Sequence, residues 1–143
     1  MSVSKIPYSS KAFALTELLN DAERRAIIRR GAAEGYHKAL MQTEDGAVYA
    51  EETRNNDRVI FVDADLAQTL YARIEPFLPS LIAIYRPLCL NDHFRLLRYA
   101  PGHYFTWHGD GQFRYSAAQR SLLTLLIYLN DDFTGGETEF EQF

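Results

Sequence analysis

The sequence predicts an α+β domain, or a β-sandwich with helices packed outside it. Helical spacing runs up to about Pro79, and strand-like patterns follow from about Phe94. The third indication is aromatic content: nine Phe, nine Tyr and one Trp suit the pleated, half-buried surfaces of a β-rich core. The 143 residues make one domain, 1–143, large enough to hold a core without disulfides. Within it, about 1–80 reads as a helical region and about 94–143 as the β part.

The first helix is predicted to start at Asn20, because Asn20 and Glu23 form an Asn-x-x-Glu capping signal. Ala22, Ala26, Ile27 and Ala33 give it a ragged apolar stripe, and Gly31 and Gly35 are candidate stops. Arg24, Arg25, Arg29 and Arg30 read as a solvated face. A second helix is capped by Asp63 or Asp65. Leu66, Leu70, Ile74 and Phe77 form its buried face, and Pro76 and Pro79 end it. Tyr36 to Leu40 and Ala47 to Glu52 are candidate strands between the helices.

The β part starts with Phe94 to Tyr99, then a turn at Ala100-Pro101-Gly102. His103 to His108 is expected as a second strand, broken by Gly109-Asp110-Gly111. Ser121 to Asn130 is a near-continuous apolar run that periodicity alone allows as helix or strand; its neighbours favour a strand. Glu137 to Phe143 alternates acidic residues with Thr138 and Phe140, a half-buried strand pattern.

Formal net charge is −4, from 19 acidic and 15 basic side chains, with no basic block. That argues against a nucleic-acid partner, which needs a clustered cationic face. Cys89 is the single cysteine, so no internal disulfide forms and a reducing compartment is expected. The N-terminus lacks the pattern of a signal peptide, and no apolar run is long enough for a membrane helix. A cytoplasmic setting with no membrane partner follows as the expectation.

The segment richest in chemistry is Trp107-His108-Gly109-Asp110. In an extended chain, residues two apart share a face, so His108 and Asp110 can aim a nitrogen and a carboxylate oxygen at one point. Ferrous iron takes that mixed donor set in the two-His-one-carboxylate triad, which leaves positions open for reactants. A lone His-x-Asp is a weak signal. Here it sits between Arg98-Tyr99-Ala100-Pro101-Gly102 and Leu123-Thr124-Leu125-Leu126-Ile127-Tyr128-Leu129-Asn130, with Gly135-Gly136-Glu137-Thr138-Glu139-Phe140 beyond.

In that order and spacing, the chain resembles the iron- and 2-oxoglutarate-dependent dioxygenases of the prolyl 4-hydroxylase type, over about Phe94 to Phe140. Arg54-Asn55-Asn56-Asp57-Arg58 and the helix after it are similar to this group less specifically. The resemblance implies a double-stranded β-helix, a jelly-roll variant with helices buttressing one sheet. It implies Fe(II) held by His108 and Asp110, which are also the catalytic pair. It places Tyr99, Thr124, Tyr128 and Thr138 in the 2-oxoglutarate pocket, with Tyr128 reaching the far carboxylate. The implied reaction consumes dioxygen and converts 2-oxoglutarate to succinate and carbon dioxide while hydroxylating a protein or peptide side chain. Ascorbate often maintains such enzymes.

The family's second iron-binding histidine and the basic residue that pairs with 2-oxoglutarate come from strands beyond the matched part. No histidine follows His108 in this sequence. His37, His93 and His103 read as surface or hydrogen-bonded histidines. The expectation is a portion of a longer dioxygenase with an incomplete jelly roll. The alternative is a complete chain whose missing strands come from a partner or are dispensed with, acting as an inactive binding or interaction module. An open sheet edge at Glu137 to Phe143 would permit self-association, discouraged by Glu137, Glu139 and Glu141. Trp107 is expected to be a packing residue. Arg54, Asn56 and Arg58 read equally as the border of a site mouth or as a polar turn.

Overall fold

The computed structural model describes residues 2–43 and 46–141. The architecture is mixed α+β. It opens with an antiparallel hairpin, β1 (Ser4–Pro7) against β2 (Phe13–Thr16). Helix α1 (Asp21–Glu34) follows, then β3 (His37–Lys38) and a second hairpin, β4 (Met41–Thr43) with β5 (Gly46–Val48). Strand β6 (Asp57–Val62) leads into α2 (Ala64–Ile74) and a 3₁₀ turn at Glu75–Phe77, and β7 is His93–Arg98. The main sheet is antiparallel, in the order β3-β6-β7.

Both helix starts obey the capping chemistry in the sequence. The Asn20 side chain accepts from the Glu23 amide at 2.9 Å, and the Glu23 carboxylate accepts from the Asn20 amide at 2.8 Å. Asp63 caps α2 by accepting from the Leu66 amide at 2.8 Å. The helix α1 runs through Gly31 and ends at Gly35, whose φ is +84°. Gly31 is therefore no stop. A Cβ there would lie 2.2 Å from a Leu96 methyl and 2.7 Å from the Tyr36 hydroxyl, so the missing side chain lets α1 approach β7 closely.

The strand β6 buries Val59 and Phe61 and exposes Ile60 and Val62, the alternation of a sheet with one covered face. Phe61 lies opposite Phe94 in the ladder, and the rings stack at 5.5 Å. The guanidinium of Arg30, on α1, sits 4.0 Å over the Phe61 ring and pairs with the Asp63 carboxylate. Below this layer, Leu18, Leu70 and Ile74 form the core cluster, with Leu125 and Ile127 packed against it. Arg73 on α2 grips the Glu23 carboxylate through both terminal nitrogens, at 2.6 and 3.0 Å, and donates to the Leu18 carbonyl at 2.9 Å. That fork ties the end of one helix to the start of the other.

Five expectations change. Strands do not wait for the second half: among the described residues, six of seven named strands precede α2. The unexpected central strand β6 has a visible signal in its Val-Ile-Phe-Val run. His103 to His108 is not a strand; it makes one bridge, Phe105 to Arg54. Ser121 to Asn130 and the described part of Glu137 to Phe143 have no ladder either, and residues 142–143 lie outside the described residues. The physical reason is common to all three. A strand is defined by a ladder with a paired neighbour: residues 53–55 run beside His103 to His108 but make a single bridge, and the other two segments have no ladder among the described residues. Ser121 to Asn130 still behaves as an extended chain: Leu125, Ile127 and Leu129 are half-buried, while Thr124, Leu126 and Tyr128 are exposed. Trp107 does not pack; it is 64% exposed.

Leu70→Ala should destabilise the chain by about 2–5 kcal/mol, because a fully buried side chain leaves a cavity; urea unfolding measures it. The Glu23 carboxyl is held down to about 2 by the Arg73 hydrogen bonds and the Asn20 amide. A depressed carboxyl stabilises the fold above its unfolded value near 4.5 and loses that contribution as pH falls towards about 2. Glu23→Gln should therefore lower stability at neutral pH and flatten its decline across that acid window, as read by unfolding at a series of pH values.

Candidate functional site

The β6–β7 register pairs Asp57 with Arg98, so the start of β6 and the end of β7 meet at one edge of the sheet. Arg54 to Asn56 precede β6 there, and Tyr99 follows β7. The turn Ala100 to Gly102 closes with the His103 amide on the Ala100 carbonyl at 2.9 Å. The chain then returns along residues 53–55. The Asn55 amide donates to the Tyr104 carbonyl at 3.2 Å, and the Thr106 amide to the Thr53 carbonyl at 2.8 Å. The Asn55 side chain accepts from the Tyr104 amide at 2.7 Å. These bonds hold Phe105 and His108 against the loop that carries Arg54.

His108 Nδ1 donates to the Thr106 carbonyl at 2.7 Å, which leaves Nε2 as the free acceptor of the neutral ring. Nε2 lies 3.6 Å from Asp110 Oδ1. The other Asp110 oxygen accepts from the Thr124 hydroxyl. Each side chain thus has one donor atom tied back and one left facing the other. Two such atoms can both reach a single ion at about 2.1 Å, since twice that bond length exceeds their separation. The residues fit two corners of a metal site. Among the described residues, no group of three His, Cys, Asp or Glu is placed to hold a metal. An open groove of about 230 Å³ lies on the Asp110 side, lined in part by Asp110, Gln112, Ser121 and Thr124.

The remaining three expected residues form a second group. The Tyr128 hydroxyl lies 2.7 Å from the Thr138 hydroxyl and donates towards the Gly136 carbonyl at 3.3 Å. Tyr99, half exposed, is an electrostatic neighbour of both Tyr128 and Arg54. Burial pushes its phenol up; the Arg54 cation opposes that and Tyr128 adds to it.

Arg54, which the sequence left open between the border of a site mouth and a polar turn, lies between the two groups, next to Phe105, which the sequence did not pick out. Arg54 is 5% exposed, and its Nε donates to the Asn56 side chain at 3.0 Å. Its guanidinium sits 4.0 Å over the Phe105 ring, and that ring stacks on the His108 imidazole at 3.5 Å. Two flat groups so near one centroid cannot share a face, so Phe105 lies between arginine and histidine. The sequence offered Arg54 as a candidate border of a site mouth, without spacing that links it to His108.

His93 is paired with the Asp92 carboxylate at 2.8 Å, and His37 lies in β3. The Nδ1 of His103 is buried without a hydrogen-bond partner among the described residues. None of the three joins His108 and Asp110 in a donor group. Cys89 is a free, exposed thiol. Among the described residues, no helix is long and apolar enough to cross a membrane.

Compared with protein-family models, curated proteins and solved structures, the chain matches none.

The neutral His108 ring is expected as the Nδ1–H tautomer, because Thr106 O can only accept. Two-bond ¹⁵N–¹H correlations on the imidazole read this directly; an Nε2–H ring would show that the nitrogen facing Asp110 is not free.

Proposed function

We propose that this chain carries the site of an Fe(II)- and 2-oxoglutarate-dependent dioxygenase of the prolyl 4-hydroxylase type, hydroxylating a protein or peptide side chain. The observation that carries the reading is the pair of inward donors, His108 Nε2 and Asp110 Oδ1, each oriented by a hydrogen bond from its other end. The mixed nitrogen and carboxylate set suits ferrous iron. Bound iron would supply the activation of dioxygen, with 2-oxoglutarate leaving as succinate and carbon dioxide and ascorbate as the maintaining reductant.

The chain's own residues have distinct tasks in this reading. The Thr106 carbonyl keeps the His108 tautomer that presents Nε2. Thr124 holds one Asp110 oxygen so that the other faces the metal. The hydroxyls of Tyr99, Tyr128 and Thr138 are donors for the carboxylates of the oxo acid, Tyr128 taking the far one. Exposed Trp107, beside His108, is available to touch a substrate peptide. The double-stranded β-helix belongs to the same proposal: Leu125 and Ile127 against the helical core, with Thr124 and Tyr128 on the other face, is the alternation such a sheet requires. A cytoplasmic setting and self-association through an open edge go with it.

The two-donor geometry, with no third donor among the described residues, favours a second reading: a dioxygenase-derived module that binds a partner without turnover. Anaerobic titration with ferrous iron and 2-oxoglutarate separates the two. The dioxygenase reading expects a visible charge-transfer band that His108→Ala and Asp110→Ala abolish, together with loss of succinate formation. Full turnover in both variants would rule out the assigned ligands. Partner binding that neither substitution alters, with no band from a folded chain, is the result the second reading expects.

A further inference from the structure

We propose that Phe105 and Arg54 are positioning residues for His108. Guanidinium, phenyl ring and imidazole form one stack, which sets the plane of the imidazole with Nε2 towards Asp110 ahead of metal binding. The proposal deepens the dioxygenase reading, and rests on it for the metal that His108 and Asp110 would receive.

A histidine that serves as a metal ligand needs its ring held by something other than the metal. The Thr106 carbonyl holds Nδ1 at 2.7 Å, but one hydrogen bond leaves the ring free to tilt about it. The Phe105 face supplies the missing restraint. It lies on the imidazole with centroids 3.5 Å apart and planes within 12° of parallel. Phe105 is itself fixed twice. Its backbone bridges Arg54, between the bonds from Asn55 to Tyr104 and from Thr106 to Thr53. Its other face carries the Arg54 guanidinium at 4.0 Å. Arg54 is 5% exposed and donates to the Asn56 side chain, and Asn56 is fully buried and donates to the Asp57 carbonyl at 3.0 Å. The stack is thereby anchored at the first residue of β6.

The role accounts for the surroundings of Arg54. Arg73, Arg98 and Arg30 each face a carboxylate, whereas Arg54 has no salt bridge among the described residues. Its Nη2 is fully buried and unpaired there, out of reach of any solute. What Arg54 offers is a flat, rigid cation against an aromatic face, which the rounded ammonium of a lysine does not reproduce. The arrangement is particular to His108. His93, which also has an aromatic neighbour, meets Phe113 only at 6.4 Å and tilted by 32°.

The test reads the full chain without turnover. In the metal-free wild type, the Phe105 ring current should shift the His108 ring protons upfield, and the neutral imidazole should show one tautomer. Arg54→Met keeps Phe105 but removes its planar backing, and should reduce that upfield shift. Phe105→Leu removes the flat face. It should mix the tautomers and weaken binding of Mn(II), a redox-stable stand-in for ferrous iron, by about tenfold, the scale of a lost partner behind a metal-binding histidine. Phe105→Tyr keeps the ring and should bind Mn(II) to within about twofold of wild type. Leu70→Ala loosens the helical core and should change neither the tautomer nor the affinity, which separates positioning from stability. A wild-type tautomer and affinity in folded Phe105→Leu overturn the proposal. So do His108 shifts unchanged in Arg54→Met, or no upfield shift in the wild type. If either variant fails to fold, Arg54→Lys decides, since it keeps the charge without the plane; unchanged His108 shifts there overturn the stack. If the shifts depend on Arg54 but the wild type binds neither Mn(II) nor ferrous iron, the stack stands and the dioxygenase reading falls.

Discussion

The register between β6 and β7 is the constraint from which the site follows. Antiparallel pairing of Asp57 with Arg98 brings the residues before one strand beside the residues after the other. Arg54 and Tyr99 are far apart in sequence, yet that pairing makes them neighbours. The same register buries Val59 and Phe61 and stacks Phe61 on Phe94. A slip of one residue would turn both side chains to solvent and carry Arg54 away from Tyr99. Burial of the sheet face and assembly of the site are thus one decision, enforced by apolar side chains that take no part in the chemistry.

Two arginines illustrate how the fold divides its charges. Arg73 faces a carboxylate in fork geometry, and that pair, joined to the α1 cap, couples the helices. Its charges are compensated, so its work is structural. Arg54 is more deeply buried and is held by a neutral amide and a ring face. It carries the cost of desolvation without a countercharge among the described residues. The Phe105 ring makes the imbalance local to His108, since the arginine and the imidazole lean on the same ring.

Signals that act over a few residues were legible. Asn20 with Glu23, and Asp63 ahead of Leu66, satisfy orphan amides at the helix starts whatever packs around them. The Ala100-Pro101-Gly102 turn and the strand before it also followed from local chemistry. The failures share a different cause. His103 to His108 and Ser121 to Asn130 have strand-forming side chains, but a ladder belongs to two chains and cannot be read from one. Gly31 looked like a stop because helix-ending glycine and close-approach glycine are the same letter, and only Leu96 and Tyr36 distinguish them. Trp107 was assigned to packing by residue type, while its place beside a single bridge leaves it in solvent.

For the site, the sequence by itself determined the donors and their local facing. His108 and Asp110 are two residues apart, and backbone geometry alone directs them to one side. The tie from Thr106 to His108 is equally short-range. Tertiary structure decided the rest: Thr124 on Asp110, Thr138 on Tyr128, and Arg54 behind Phe105. Those contacts join segments separated by loops and turns, and their energies depend on burial and on what remains unpaired. Spacing in a sequence records neither, so a motif could name His108 and Asp110 while the unpaired guanidinium emerged only when the chain closed around it.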